Sequence, residues 1–437
     1  MLELSRKKAV AALAGAALCT VAPAAFAADC DDIALGLENP IYGAGGSAET
    51  QTIRAVAIYL RSLADHPVTI LWDDTLGACG GYNEYLQNVF TVAQVTYWDA
   101  NGTAQKCTPT GGVDFAHMGN EHDFCVTGGL VPPSGYPTGF GTVLAPVQTL
   151  NIIVDKDSSQ KSISAEALYY ILGFGAGSTG HEVEPWTNPA HVVTRNPTSF
   201  ASQFLAASIF GDEKSGRAVF DDPGKNGSSP TATNGYNGRL GFRGGTQTDV
   251  INQIDIFGAT NAESPIGYVS GSAVISDEKA SGGRKTKVLA YQHYDQTCGY
   301  WPNSTESSHD QANVRSGKYH FWTPGHFFAH VDEGSTPDLE RLVNPDVATF
   351  FNAFVGSDNT DVLNLVIDNG DVPLCAMNVN REGLDGPISS IAPADPCGCF
   401  FESRVAGTAQ CDSCRDGHDE DCSEAGAVCR RGYCEAY

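Results

Sequence analysis

The placement of cysteine constrains this chain more than any other feature. Of its fourteen cysteines, Cys30, Cys79, Cys107, Cys125, Cys298 and Cys375 are spread over the body, and Cys397, Cys399, Cys411, Cys414, Cys422, Cys429 and Cys434 crowd the last 41 residues. The fourteenth, Cys19, falls in a leader. Arg6, Lys7 and Lys8 form a positive start, an uncharged apolar stretch runs from Ala9 to about Val21, and Ala25-Phe26-Ala27 presents small residues where a signal peptidase reads. The expectation is a signal peptide over 1–27, cleaved after Ala27. The apolar stretch is too short and alanine-rich for a span of roughly 20 residues, and no later segment suits one. A chain exported in this way folds where thiols oxidise. Thirteen cysteines then remain, and an odd number leaves one thiol free or joined to another molecule. Sequence does not give the pairing.

The tail from 395 to 437 is poor in apolar residues and rich in Cys, Asp, Glu and Gly. About 40 residues bury too little surface to hold a fold unaided, so this reads as a small disulfide module. The rival is a zinc site on Cys411, Cys414 and His418. The body is different. With 437 residues and 42% hydrophobic content the chain has material for two or three domains. The formal charge is −25, and losing residues 1–27 removes three positive charges and one negative, leaving about −27. Such a surface repels a phosphate backbone and argues against nucleic-acid binding. It does not forbid a buried site for a small anion built from N–H groups, hydroxyls and one arginine.

Along the body, strand-like and helical segments alternate, which predicts an α/β fold. Ile41-Tyr42 leads into a glycine turn, Gly43 to Gly46, with Ser47 as an N-cap. Ile53, Val56, Ala57, Leu60 and Leu63 follow at helical spacing. Val68–Trp72 is a strand, Gly77–Gly81 a second glycine turn, and Tyr82–Phe90 a helix. Gln94–Trp98 and Val113–Ala116 read as strands separated by a loop over 101–112. Thr142–Val154 reads as a long strand crossing between two lobes. Ser164 caps a helix, Trp186 lies in a loop, His191–Thr194 is a strand and Ser199–Ile209 a helix. A loop rich in Gly, Asn and Ser covers 221–238, followed by a helix at Gln247–Phe257 and a strand at Ile266–Val269. The expected division is 28–150 for the first part of lobe 1, 151–265 for lobe 2, 266–394 for the return to lobe 1, and 395–437 for the cysteine-rich module.

Enzyme motifs are missing: there is no Gly-x-Ser-x-Gly elbow, no His-Glu-x-x-His and no phosphate-binding loop ending in Gly-Lys-Ser/Thr. His326 and His330, four apart without a following glutamate, read as packed side chains. A non-enzyme is expected, with no cofactor and no metal. The glycine turns that open helices carry more information, because a helix N-terminus offers free N–H groups and partial positive charge. Arg195, just before the helix at Ser199, adds a fork that grips an oxyanion.

In their order these segments resemble the periplasmic phosphate-binding proteins of ABC transporters, within the type II solute-binding fold. The resemblance covers about 39–351. Ile41–Ser47 and Gly77–Gly81 resemble the family's first two ligand loops, and Val113-Asp114-Phe115 the strand before its third. Trp186 and His191–Arg195 follow its path to a ligand arginine, and Ile266-Gly267-Tyr268-Val269 matches a strand. The resemblance implies a two-lobed type II periplasmic-binding-protein fold that captures a small oxyanion, phosphate first, in the cleft between lobes. It implies an inner-membrane ABC permease as partner and a periplasmic, surface or secreted location. The implied ligand residues are Gly46, Ser47, Cys79, Gly80, Arg195, Thr198, Ser199 and Ser202. Departures are visible. Cys79 stands where a serine is expected, Phe200 and Ala201 replace glycine and threonine, and His117 to Asn120 offer no aspartate to accept from protonated phosphate. The competing reading is a surface scaffold or adhesion protein on the same fold with a degraded ligand site, which the cysteine tail favours.

Overall fold

In the computed structural model the described residues are 27–119, 125, 139–174, 180, 182–195, 199–210, 242–332, 342–356, 358–381, 383, 386–407, 409, 411–424 and 426–435. The residues before 27, expected as signal peptide, and those over 221–238, expected as a loop, lie outside them. The first lobe is built on strands β1 (Pro40–Gly45), β2 (Thr69–Asp73), β3 (Val95–Trp98), β4 (Ala104–Cys107) and β5 (Phe115–Met118). β1 lies parallel to both β2 and β5, and β3 and β4 add an antiparallel edge. β4 falls inside the stretch expected to be loop. Its alternation is hidden because Ala104, Gln105 and Lys106 are exposed and Cys107 is buried. Helix α1 (Thr50–Arg61) covers the sheet with Ile53, Val56, Ala57 and Leu60, the expected helical stripe; Leu63 falls beyond its end. Helix α2 spans Gly77–Gln87.

β6 (Phe140–Asp155) is a sixteen-residue strand, the extended stretch expected from 142 to 154. β7 (Ser162–Ser164), helix α3 (Ala165–Phe174), β8 (Val192–Arg195), helix α4 (Phe200–Phe210), β9 (Phe242–Gly244), helix α5 (Gln247–Gly258) and β10 (Ile266–Ser270) follow. Ser164 caps α3 by accepting from the Ala167 N–H at 3.2 Å, as its position before the apolar run suggests. Next come helix α6 (Gly271–Glu278), β11 (Thr286–Val288), β12 (Ala290–Gln292), the short helix α7 (Ala312–Arg315) and β13 (Trp322–His330). The strand order is β4-β3-β2-β1-β5-β13-β6-β10-β8-β9, with β11 also on β6. β6 is the seam. Thr149 pairs with Trp322 of β13, and its neighbour Leu150 pairs with Ser270 of β10. One strand therefore serves both lobes, changing partner between consecutive residues.

β10 does not begin the return to the first lobe, as the division at 266 expected. It pairs with β6 and β8 in the second lobe, and the chain rejoins the first sheet at β13. The second crossing lies there: the Leu150 N–H donates to Phe321 O at 2.9 Å and the Tyr319 hydroxyl to Leu150 O at 2.6 Å. Helices α8 (Pro345–Val355) and α9 (Thr360–Asp368) then cover the first sheet. Phe350, Phe351 and Phe354 pack on Phe327 of β13, and Phe350 and Phe351 on Phe115 of β5, with ring centroids 4.7–5.9 Å apart.

A two-lobed α/β body with a small disulfide-rich C-terminal module, the fold class implied by the sequence, is the fold observed. Cys30–Cys107 and Cys79–Cys125 staple the first lobe, Cys375–Cys397 ties the tail to the body, and Cys399–Cys411, Cys414–Cys429 and Cys422–Cys434 close the module. Cys411 and Cys414 are thus committed to sulfur–sulfur bonds and have no thiolate to offer zinc. The module contains helix α10 (Gly398–Ala406), and the Glu435 carboxylate caps it by accepting from the N–H groups of Cys399 and Phe400. Arg315 stacks over Phe401 and pairs with Glu402 at 2.9 Å, binding the module to the body. The odd thiol is Cys298, exposed and free. Thiol titration of the unfolded, unreduced mature protein is expected to find a single reactive cysteine, lost in Cys298→Ser. Replacing Cys375 and Cys397 with serine is expected to lower stability in urea by about 3 kcal/mol, the cost of freeing a loop of that length.

Candidate functional site

Between the lobes lies a cleft of about 300 Å³. The first lobe contributes the stretch after β1 (Gly46, Ser47, Ala48) and the stretch from β2 into α2 (Asp74 to Ala78). The second contributes Arg195 at the end of β8, the start of α4 and the start of α5. The glycines around α2 have a different job from the one expected. Gly77 (φ 73°) turns the chain directly into the helix. A Cβ on Gly81 would sit 2.4 Å from the Gly45 N atom, so Gly81 lets α2 pack its first turn against the end of β1. The expected glycine loop is therefore the first turn of α2, held over the cleft by this close approach.

Helix capping separates the two lobes chemically. In α4, Ser199 Oγ accepts from the Ser202 N–H at 3.3 Å. In α5, Thr246 Oγ1 accepts from the Asp249 N–H, and the Asp249 carboxylate accepts from the Thr246 N–H. The first-lobe helices begin otherwise. Residue 49 precedes α1 and Leu76 precedes α2, and neither makes a side-chain cap bond. Ser47, expected as the cap of α1, lies outside the helix in the cleft wall. The second lobe brings a cation and side-chain-capped helix termini, while the first brings helix termini whose N–H groups have no side-chain cap.

Arg195 is 5% exposed. Its N–H donates to the Tyr268 hydroxyl at 3.1 Å, which places the residue, and one Nη2 reaches Ser47 Oγ at 3.5 Å across the cleft. Its Nε has no partner, and among the described residues no carboxylate lies within ion-pair distance of the guanidinium. Burial pulls its pKa down, offset by Tyr268, Asp249 and Asp74. It remains charged at neutral pH. A buried guanidinium with an open edge toward a cleft is a demand for an anion.

The expected residues divide accordingly. Gly46, Ser47, Arg195 and Ser199 come together around the cleft. Cys79 does not supply a side chain there: it is buried and bonded to Cys125. Gly80 lies within the first turn of α2, and its Cα faces Leu76. Ser202 is fully buried on α4, its hydroxyl bonded to Ser199 at 3.1 Å and to Tyr268 at 2.9 Å, so it supports the arginine rather than facing the cleft. Thr198 lies outside the described residues. Phe200 lines the cleft where a glycine is usual in the resemblance. Its ring stands so near Gly119 that a Cβ there would be 2.6 Å away, and it narrows the site.

Sequence reasoning missed Asp74. It sits in the cleft wall after β2, and Thr50 Oγ1 donates to its Oδ2 at 2.6 Å while the Trp72 indole N–H donates to Thr50 at 3.1 Å. Among the described lining residues the carboxylate on the cleft wall comes from the stretch after β2. The available signal was an aspartate between the end of a strand and the start of the α2 helix. Near the expected third loop, His117 is fully buried and drawn down to about 3 by burial and by His326, so it is neutral and offers the cleft no charge.

No family model and no curated protein sequence matches this chain. Among solved structures it is similar to one described as a possible phosphate binding protein from Planctomyces limnophilus, at 12% identity and TM-score 0.42, over 85% of this chain and 99% of that one. It is similar to an ABC-type phosphate transport receptor from Vibrio cholerae, at 14% identity and TM-score 0.43, over 76% and 99%. It is also similar to PstS from Borrelia burgdorferi, at 14% identity and TM-score 0.38, over 77% and 99%. Among the described residues no helix is long and apolar enough to cross a membrane.

Tyr268 carries the geometry of Arg195 and Ser202 together. Tyr268→Phe is expected to cost about 1–2 kcal/mol in urea unfolding, because it leaves the Arg195 N–H and the Ser202 hydroxyl without this acceptor inside the protein.

Proposed function

We propose that this protein is a non-enzymatic solute-binding protein that works outside the cytoplasm and captures a small oxyanion, phosphate before others, between its lobes. The observation that carries the reading is Arg195: a buried guanidinium, fixed through Tyr268, that meets no carboxylate at ion-pair distance among the described residues and faces first-lobe helix termini lacking side-chain caps. An oxyanion there accepts from the arginine fork, from Ser47 and from N–H groups at the start of α2. Asp74 favours an anion that still carries a proton. Hydrogenphosphate donates to its free oxygen, whereas sulfate has no proton to give and brings two like charges together. The narrow, Phe200-walled cleft suits a small ligand. Capture of this kind supports delivery to an ABC permease, the partner that the sequence resemblance implies.

Isothermal titration of the mature, oxidised protein tests this. Phosphate is expected to bind with a micromolar or lower Kd, about −8 kcal/mol. Arg195→Ala is expected to lose at least about a hundredfold, the loss of a pair of charge-assisted bonds. Asp74→Asn is expected to lower the preference for phosphate over sulfate by about tenfold, since the amide donates where the carboxylate accepted. No heat with phosphate, sulfate or related anions would reject anion capture and favour the scaffold reading.

A further inference from the structure

Behind the cleft two carboxyl groups meet in the interior. Glu49 is 0% exposed and Asp371 is 3% exposed. Glu49 follows the cleft residues Gly46 to Ala48 directly and stands before α1. Asp371 precedes Val372, whose N–H and C=O both bond to Val147 of the crossing strand β6, at 3.0 and 2.8 Å. The two side chains face each other, with Thr52 and Gln148 beside them. Thr52 Oγ1 donates its proton to Asp371 Oδ2. Among the described residues Glu49 Oε1, Glu49 Oε2 and Gln148 Oε1 are then three buried oxygens that complete no hydrogen bond, with Thr52 and the Gln148 side chain close to Glu49.

Among the described residues the surroundings supply no counter-charge. Beyond Gln148, its amide nitrogen lies 3.4 Å from His117 Nε2, and His326 stands behind. Burial holds both imidazoles neutral, drawing His117 to about 3 and His326 to about 4. On its other side Asp371 lines a cavity of about 410 Å³ whose charged walls are Glu278, Lys279, His309, Asp368 and Arg404. Lys279 donates to Asp368 O at 2.7 Å and Arg404 is forked on the Asp368 carboxylate. Glu278 faces Arg284 and His309. Each cation on that wall has its own partner, and none pairs with Asp371. Two adjacent buried carboxylates without a cation are far too costly to remain ionised together.

We propose that Glu49 and Asp371 are a proton-binding pair, and that the protonated pair positions the Gly46–Ala48 stretch of the cleft against the crossing strand. Two protons satisfy every orphan oxygen: Asp371 donates to one Glu49 oxygen, and Glu49 donates to Gln148 Oε1. The cavity beside Asp371 lets a proton come and go without unfolding. Burial and the neighbouring Asp371 hold Glu49 well above the usual carboxylate range, and burial lifts Asp371 to about 7. Both folded values lie above the unfolded ones. The pair's contribution is therefore complete in acid, below about pH 4, and is lost as pH rises through about 7 and beyond.

The test is unfolding by urea at intervals from pH 5 to 9, on the mature oxidised protein and on Glu49→Gln, Asp371→Asn and the double variant. The wild type is expected to lose up to about tenfold in its folding constant per pH unit for each proton that the folded pair still holds and the unfolded chain has released, steepest below neutrality and levelling off once the folded pair has ionised. The double variant, whose amides keep the shape without the charge, is expected to lose that slope. Parallel profiles in wild type and variants would overturn the proposal. So would stabilisation of the wild type at pH 8 by calcium or sodium ions that vanishes in Asp371→Asn, since the oxygens would then hold a metal ion instead of protons. If the variants fail to fold, infrared spectroscopy of the wild type decides. A protonated-carboxyl C=O band present at pH 6 and diminished at pH 9 supports the pair, and no such band at pH 6 rejects it.

Discussion

Everything in this protein hangs on β6 changing partners between Thr149 and Leu150. A strand that pairs with β13 on one side of that point and with β10 on the other forces two sheets to share one backbone. The backbone N–H and C=O groups of both lobes must be satisfied through it. Val147, two residues before the change, is also bonded to Val372. The first-lobe cleft wall, the second-lobe arginine and the buried carboxyl pair are all placed relative to this short stretch. Motion of one lobe against the other has to be absorbed there and at Phe321–Trp322, because the flanking residues are fixed in sheets.

The site follows a division of labour between lobes. Each second-lobe helix at the cleft spends an N–H group of its first turn on its own cap, Ser199 or Thr246, and Arg195 is that lobe's cation at the cleft. The first lobe leaves its helix starts uncapped and provides Asp74 as the single carboxylate among the described lining residues. Neither half is an anion site alone. A buried arginine without a counter-charge is a cost to the fold, and the hydroxyl of Tyr268, bonded to the arginine backbone and to Ser202, is what keeps that arginine in place.

Much of this was legible in the residues. The stripe Ile53, Val56, Ala57, Leu60 has the period of a helix, and the apolar run through 142–154 is rich in the β-branched residues that favour a strand. Arg195 before a serine-capped helix could be read because capping is local. What could not be read depended on approach between distant segments. Gly77 to Gly81 looks like a loop until Gly45 is known to lie against Gly81, and only then is it a helix turn packed on a strand. Cys79 looked like a ligand because its partner lies 46 residues on. The short strand Ala104–Cys107 has no apolar alternation, since an edge strand with three exposed residues need not show any. Asp74 was missed because one aspartate among 51 acidic residues carries no signal of its own.

The cysteine-rich tail has a mechanical consequence. Its helix α10 is bolted to the body through Cys375–Cys397 and through Arg404 on Asp368 of α9, beyond the second crossing, and through Arg315, which precedes that crossing. A brace fastened on both sides of a pivot narrows the pivot's arc. A two-lobed body restrained in this way spends less conformational entropy on closing over a bound solute, and it also opens less readily. On the proposed reading, such a brace favours retention of a captured solute over its release.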